Sequence, residues 1–304
     1  RLRQTDFSGD AAEQGVPWLG MPVQDIDTLD RVLLVGSFLR KDHPLLSARL
    51  RHAVRRGCQL SVLHAADDDL LMRVAHKVTA RPSAWARSLA GIAVAIAKQR
   101  GLPPPVAGVA PDDTARAIAA SLLSGERKAI FLGNASVQHP AAGTLRAWAQ
   151  WIAQATGATL GVLVEGANSV GAQLVGARPR AGGLDARRMV EQARKAYLLW
   201  NFEPEYDTPE PVATLAALRQ ADTVIAFSPY RNGALEYADA ILPIAPFTET
   251  AGTFVNCEGR VQGFNGTVRP LGDARPGWKV LRVVGNLLEV DGFGFETCEA
   301  VLDA

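Results

Sequence analysis

From residue 31 to residue 243 the sequence alternates short apolar runs with amphipathic stretches of helical period, and this alternation constrains the fold more than any other feature. Residues 31–36 form an apolar run of the kind a buried parallel strand carries. Residues 44–57 then set Leu46, Leu50 and Val54 on one helical face, with Gly57 placed to end the helix, and residues 59–64 read as the next strand. The order recurs in a strand at 128–132, a helix over 140–156 with Leu145, Trp148, Ala149 and Ile152 on its apolar face, and a strand at 159–164. Helices are also expected over 89–98, over 112–123 with Asp112 or Asp113 as cap, over 184–195 and over 212–219. Further strands are expected at 196–200, 223–227 and 240–242, the last cut by Pro243, which lacks a backbone donor.

The pattern predicts an α/β fold: two Rossmann-like α/β lobes with mainly parallel sheets, then a short β segment and a C-terminal helix. The expected divisions are an irregular lead-in over 1–30, a first lobe over 31–111, a second over 112–243, and a small β segment with a docked helix over 244–304. The stiff stretch Gly101-Leu-Pro-Pro-Pro105 marks the boundary between lobes. In the last helix Trp278, Leu281, Val284 and Leu288 form an apolar face that is expected to bury against the α/β body.

The chain has 304 residues, 48% hydrophobic and 21% charged, enough for two domains with their own cores. Its formal net charge of +1 and lack of a basic block argue against a nucleic-acid partner. The longest apolar stretches fall far short of the roughly 20 residues that span a bilayer, so direct membrane insertion is not expected. Cys58, Cys257 and Cys298 lie far apart and form no C-x-x-C pair, which argues against a disulfide framework and against a zinc or iron–sulfur site built by this segment alone.

Several chemistry-bearing patterns have a plain structural reading beside the functional one. The turn from Gly36 to Pro44 has one glycine where a dinucleotide fingerprint has three, which speaks against nicotinamide binding there. Asp67, Asp68 and Asp69 read as a solvated loop or helix start, because adjacent side chains diverge and no EF-hand spacing follows. His52 and His76 fall in helix candidates, and His43, His64 and His139 near strand ends, none with a partner at metal spacing. The loop Gly166-Ala-Asn-Ser-Val-Gly171, with Gly176, is either a phosphate cradle or, as we favour, a packed structural loop. Glu203, Glu205, Asp207 and Glu210 are either catalytic carboxylates or, as we favour, an exposed acidic loop suited to a basic partner. Residues 256–262 allow two conformations. Extended, they put Asn256, Glu258, Arg260 and Gln262 on one face; folded, residues 257–260 make a hairpin turn in which Gly259 supplies a positive φ.

Glu249, Gly252-Thr253, Asn256 and Glu258-Gly259-Arg260-Val261-Gln262, preceded by Asp239-Ala-Ile-Leu-Pro243 and followed by Ala274-Arg275 and Trp278, resemble the signature of the molybdopterin oxidoreductase superfamily. Within it the match is closest to the large peripheral-arm subunit of the respiratory NADH:quinone oxidoreductase, complex I. Weaker similarity runs from about residue 30 to the end. The resemblance implies sheet sharing between lobes, a C-terminal scaffold region of a larger polypeptide that starts upstream of Arg1, and a part in electron transfer from NADH to quinone through the parent complex. It implies no catalytic, cofactor or metal residue in this segment, iron–sulfur clusters in modules N-terminal to it, other peripheral-arm subunits as partners, and a place on the cytoplasmic side of the bacterial inner membrane. Many cofactor-binding relatives have Asn in the first turn, where this chain has Phe38. The competing expectations are a cofactor-binding fragment of a true molybdopterin oxidoreductase, such as a formate dehydrogenase, and a free-standing nucleotide-binding enzyme. Glu249, Gly252, Asn256, Glu258, Gly259, Arg260 and Gln262 are expected to be structural, with Glu258 and Arg260 stabilising the place where the chain leaves the α/β body.

Overall fold

The computed structural model describes residues 6–8, 15–179 and 182–304. Among these, one compact unit runs from Asp6 to Ala177 and includes Val255–Arg260; the other comprises 178–254 and 261–304.

The first unit is built on a five-stranded sheet of β1 (Arg31–Val35), β2 (Gln59–His64), β3 (His76–Thr79), β4 (Lys128–Leu132) and β5 (Thr159–Val162), in the order β3-β2-β1-β4-β5. Every neighbouring pair is parallel. Parallel strands need covered faces, and β1 shows how the sequence supplies them: Val32, Leu33, Leu34 and Val35 are all buried. Because side chains alternate along a strand, Leu33 and Val35 join a core with the helices Trp85–Gln99, Asp113–Ser124 and Ala142–Thr156, while Val32 and Leu34 join a core on the other face with Leu46 and Leu50 of the helix Pro44–Arg55. Asp112 caps the helix Asp113–Ser124, its carboxylate accepting the Ala115 N–H at 2.7 Å.

The expected boundary between residues 111 and 112 is corrected by this sheet. β4 pairs with β1, so the sheet runs straight across it, and the units divide near residue 177 instead. The proline-rich connector joins two helices that belong to one core. Prolines stiffen such a link but say nothing about where the next strand pairs. Residues 1–5 and 9–14 of the expected lead-in lie outside the described residues; in the remainder, a 3₁₀ helix at Val23–Thr28 interrupts the expected irregular course. Leu19, Met21, Ile26 and Leu29 are core residues, and the Val162 N–H donates to the Trp18 carbonyl at 2.7 Å, so this stretch lies against β5. Gly161 permits that approach, since a Cβ there would overlap the Leu19 carbonyl oxygen. Gly161→Ala is therefore expected to destabilise the unit by about 1 to 3 kcal/mol, as overpacking does. Chemical denaturation measures it, and an unchanged midpoint would show that residues 18–21 do not pack there.

In the second unit, β6 (Ala196–Trp200), β7 (Thr223–Ser228) and β8 (Ala240–Pro243) form a parallel sheet in the order β6-β7-β8. Pro243 ends the edge strand β8, where its missing donor is harmless. Only three strands of the expected second lobe are here, because residues 112–177 belong to the first unit. β9 (Gly252–Val255) and β10 (Val261–Phe264) make the expected short β segment. The helix Gly277–Leu287 follows, but its expected burial is corrected: Gly277 meets the Trp200 ring and Gly285 the Phe293 ring, whereas Leu281 is 36% and Leu288 66% exposed. The residues that let this helix approach its neighbours are its glycines, which a count of apolar positions passes over.

Candidate functional site

In a doubly wound sheet, ligands sit outside the carboxyl ends of the strands where the strand order reverses. Here that place lies between β1 and β4, at the turns beginning with Gly36 and Gly133. The turns are knitted to each other. The Gly133 N–H donates to the Val35 carbonyl at 2.9 Å, the Ala135 N–H to Gly36 at 3.0 Å, and the Ser136 hydroxyl to Val35 at 2.8 Å. They also touch: a Cβ on Gly133 would overlap the Ser37 side chain, and one on Gly36 would overlap the Ser136 hydroxyl.

Beside these turns runs a row of rings that the pattern of the sequence does not disclose. Phe38 meets His64 edge-on with centroids 4.2 Å apart, His64 lies 6.0 Å from Trp85, and Trp85 stacks on His139 at 5.6 Å. Lys41 stands over the outer face of Phe38. His139 is fully engaged, its Nδ1 accepting the Ala141 N–H at 2.9 Å and its Nε2 donating to the Pro82 carbonyl at 3.0 Å. Both polar atoms of the Ala66 backbone face His64 Nδ1, the N–H at 3.2 Å and the carbonyl at 3.4 Å, so the hydrogen bonding of this ring to protein is confined to Nδ1 and Nε2 is left over. That Nε2 and the Ser37 hydroxyl are buried without a protein partner. Trp85 is the residue that sequence reasoning missed. It sits four positions before Leu89, so extending the helix period one turn upstream would have included it.

The signature stretch folds as the hairpin turn. Gly259 has φ +85°, and Asn256 organises the tip: its Oδ1 accepts the Arg260 N–H at 2.9 Å and the Glu258 N–H at 3.1 Å, while its Nδ2 donates to Glu258 Oε1 at 3.3 Å. Glu258 reaches further in sequence, its Oε2 accepting the Val23 N–H at 2.6 Å. The Leu19 N–H donates to the Cys257 carbonyl at 2.8 Å, and the Val255 N–H to the Asn168 side-chain oxygen at 2.8 Å. Three bonds thus fasten residues 255–258 to the rest of the first unit. The bond from Val23 holds the Glu258 carboxyl below its ordinary pKa, with help from Asn256 and Arg260. Arg260 lies 3.3 Å from Glu258 but its side chain is 70% exposed, against 14% for Glu258. Elsewhere, Glu249 accepts the Leu271 N–H at 3.2 Å, Gly252 faces the Phe264 ring, and Gln262 is exposed in β10.

The other candidates separate. Lys77 pairs with Asp67, and Arg40 lies 3.9 Å from Asp69, so two of the three adjacent aspartates face cations. His76 opens β3 and is not in a helix: the apolar residues around it alternate and then pair with β2. Residues 169–174 of the glycine-containing loop are helical, and Asn168 there holds the hairpin. Glu203 accepts a bond from the Asn232 amide at 2.6 Å, and Asp207 accepts the Glu203 N–H at 2.9 Å, so these acids brace a local turn. Burial, aided by Glu205, Glu203 and Glu236, pushes the nearby Tyr237 hydroxyl up to about 12. No group of three or more His, Cys, Asp or Glu side chains among the described residues is arranged to hold a metal ion.

Known proteins share parts of this sequence and most of this fold. Over 76 residues, a quarter of this chain but 8% of the relative, it is 36% identical to a protein of Staphylococcus aureus strain MRSA252 provisionally named formate dehydrogenase. A protein of the same provisional name from Staphylococcus haemolyticus is 33% identical over 76 residues, again 8% of its length. In fold, the chain resembles a chain of the formyltransferase/hydrolase complex of Methylorubrum extorquens, solved with methylofuran, with TM-score 0.63, 17% identity, and coverage of 93% of this chain and 81% of that one. It resembles acetylene hydratase of Pelobacter acetylenicus with TM-score 0.63, 16% identity, and coverage of 87% and 48%. The family model for molybdopterin oxidoreductases matches residues 3–287, nearly the whole chain, and the chain belongs to that family.

Proposed function

We propose that this chain is a structural region of a larger redox enzyme, folded as a molybdopterin oxidoreductase but without a pterin of its own. The observation that carries this reading is the carboxyl edge of the sheet between β1 and β4. A phosphate-bearing cofactor needs free backbone donors and an open approach there. The Gly133, Ala135 and Ser136 N–H groups are instead spent on neighbouring carbonyls, and Phe38 with Lys41 above it occupies the first turn. These occupied donors and the covered first turn speak against a pterin dinucleotide at this edge. The signature residues support the same reading, since Asn256 and Glu258 are committed to the hairpin and to Val23. By the resemblance of the signature, the parent enzyme is the NADH:quinone oxidoreductase, with this chain as the C-terminal region of its large peripheral-arm subunit. Iron–sulfur clusters would lie in modules N-terminal to it, and other peripheral-arm subunits would hold it to the cytoplasmic side of the membrane. No helix among the described residues is long and apolar enough to cross a membrane, which is compatible with attachment through partners.

A second reading has its own support: the two Staphylococcus relatives are provisionally named formate dehydrogenases, which favours that parent over complex I. On that reading the Ser37 hydroxyl and His64 Nε2, both buried and unpartnered at the carboxyl edge, would face the cofactor, as would His43 Nδ1 beside them. Metal analysis of the parent protein purified from its own organism separates the two. The first reading expects iron from the upstream clusters and molybdenum well below one atom per chain, with no pterin fluorescence after denaturation. Molybdenum and pterin at one equivalent would overturn it in favour of the second. Titration calorimetry of this chain with NADH gives a further check, expected to show no affinity tighter than about 1 μM.

A further inference from the structure

At the opposite edge of the five-stranded sheet, where β2 and β3 begin, lies a groove of about 380 Å³. Its donors are the guanidinium of Arg73, the imidazole of His76 and the carboxamide of Gln59; Val54, Ala75 and the Cys58 side chain form an apolar wall. The Gln59 side-chain oxygen accepts the Ser121 hydroxyl at 2.8 Å, which leaves its amide N–H groups for another partner. Arg73 and His76 make no ion pair or side-chain hydrogen bond among the described residues, unlike Arg40, Arg49 and Lys77 close by in sequence, which each face an aspartate. Arg55 and Arg56 stand exposed at the end of the helix that leads into the groove. Asp30 acts on Cys58 from nearby; its Oδ2 accepts the Glu126 and Arg127 N–H groups at 3.2 Å each, and its Oδ1 is buried without a partner. A cluster of donors with unanswered positive charge and one apolar side is suited to a compact oxyanion bound through a forked contact with Arg73.

We propose that this groove is a binding site for a small oxyanion, a phosphate or a short carboxylate, independent of the redox chemistry of the parent enzyme. Arg73 would supply the paired donors, His76 and Gln59 would fix the orientation, and the wall of Val54 and Ala75 would admit a short carbon body. The site lies at the amino ends of β2 and β3, so it is separate from the turns after β1 and β4 and does not depend on how those are read.

The test uses the whole chain labelled for NMR, with the ring resonances of His76 as the local reporter. Inorganic phosphate and succinate are titrated separately at constant ionic strength. The expected result is a saturable shift of His76 with half-saturation below about 1 mM for one of the two, and the better probe decides between phosphate and carboxylate. Arg73→Ala should weaken that binding at least about tenfold, as loss of a charge-assisted fork does. Arg116→Ala, which removes a cation paired with Asp113 on another helix, should leave it unchanged. His76→Gln, which keeps a donor, reports through the amide resonances of Gly57 and Ala75 and should retain part of the affinity. Absence of saturation with both probes up to about 10 mM would overturn the proposal. Equal weakening by Arg73→Ala and Arg116→Ala would overturn it too, by showing general charge screening.

Discussion

Trp85→Ala is expected to cost the first unit about 3 to 5 kcal/mol, the upper range for a buried aromatic truncated to alanine. Trp85 is 1% exposed and central: its ring covers Gly36, lies between His64 and His139, and donates from Nε1 to the Ala80 carbonyl at 2.9 Å. Truncation opens a cavity at the end of the core and strips Ala80 of its partner, and neither loss can be repaired by small shifts in a close-packed interior. Against a usual domain stability of about 5 to 15 kcal/mol, the loss is a large fraction. Trp85→Phe keeps the stacking and loses mainly the bond to Ala80, so about 1 to 2 kcal/mol is expected. Urea denaturation of both variants measures the difference. A loss under about 1 kcal/mol for Trp85→Ala would mean that the row of rings is not part of the cooperative core, and that the carboxyl edge is open enough to reconsider a cofactor.

How far the sequence discloses this molecule depends on whether a feature is periodic. Val32 to Val35, Leu46 with Leu50, and Leu145 with Ala149 and Ile152 obey strand or helix periods, and the elements that bear them are where the periods place them. Strand partners follow no period. That β4 returns beside β1 across the prolines at 103–105 is decided by packing of the helices Trp85–Gln99 and Asp113–Ser124 in one core, which a linear reading splits into two lobes. The same limit explains Leu19 to Met21. Those residues lie among glycine and proline without a repeat, and they are held in place by backbone bonds far along the chain, from Val162 of β5 to the Trp18 carbonyl and from Leu19 to the Cys257 carbonyl. At the candidate sites, Asn256, Glu258 and Gly259 were legible through the resemblance and through turn chemistry. The partner of Glu258 is a main-chain N–H at residue 23, which carries no side-chain mark in the sequence at all.

That partner makes Glu258 the signature residue whose loss should matter. Its Oε2 accepts the Val23 N–H at 2.6 Å while its other oxygen meets Asn256 and Arg260, and the side chain is 14% exposed. Glu258→Ala leaves the Val23 N–H and the Asn256 amide without this acceptor, so about 1.5 to 3 kcal/mol should be lost, the range for hydrogen bonds to a charged group. Glu258→Gln keeps an acceptor oxygen but not the charge and should fall between. Arg260→Ala should change stability by only about 0 to 1 kcal/mol, because its side chain is 70% exposed and the pair is screened. Of the two residues expected to hold the junction, the carboxylate is thus the one that should matter, and the guanidinium should be nearly dispensable. The Val23 bond depresses the folded-state pKa of Glu258, so its contribution is complete above the unfolded glutamate value of about 4.3 and is lost as pH falls through the lowered folded value. The stability gap between wild type and Glu258→Ala should therefore be widest at neutral pH and close on acidification below the ordinary glutamate range. Denaturation midpoints of the two proteins across that interval measure it. A gap that stays constant with pH would assign the effect to packing of the side chain, and no gap at neutral pH would remove Glu258 from the contact between the hairpin tip and residue 23.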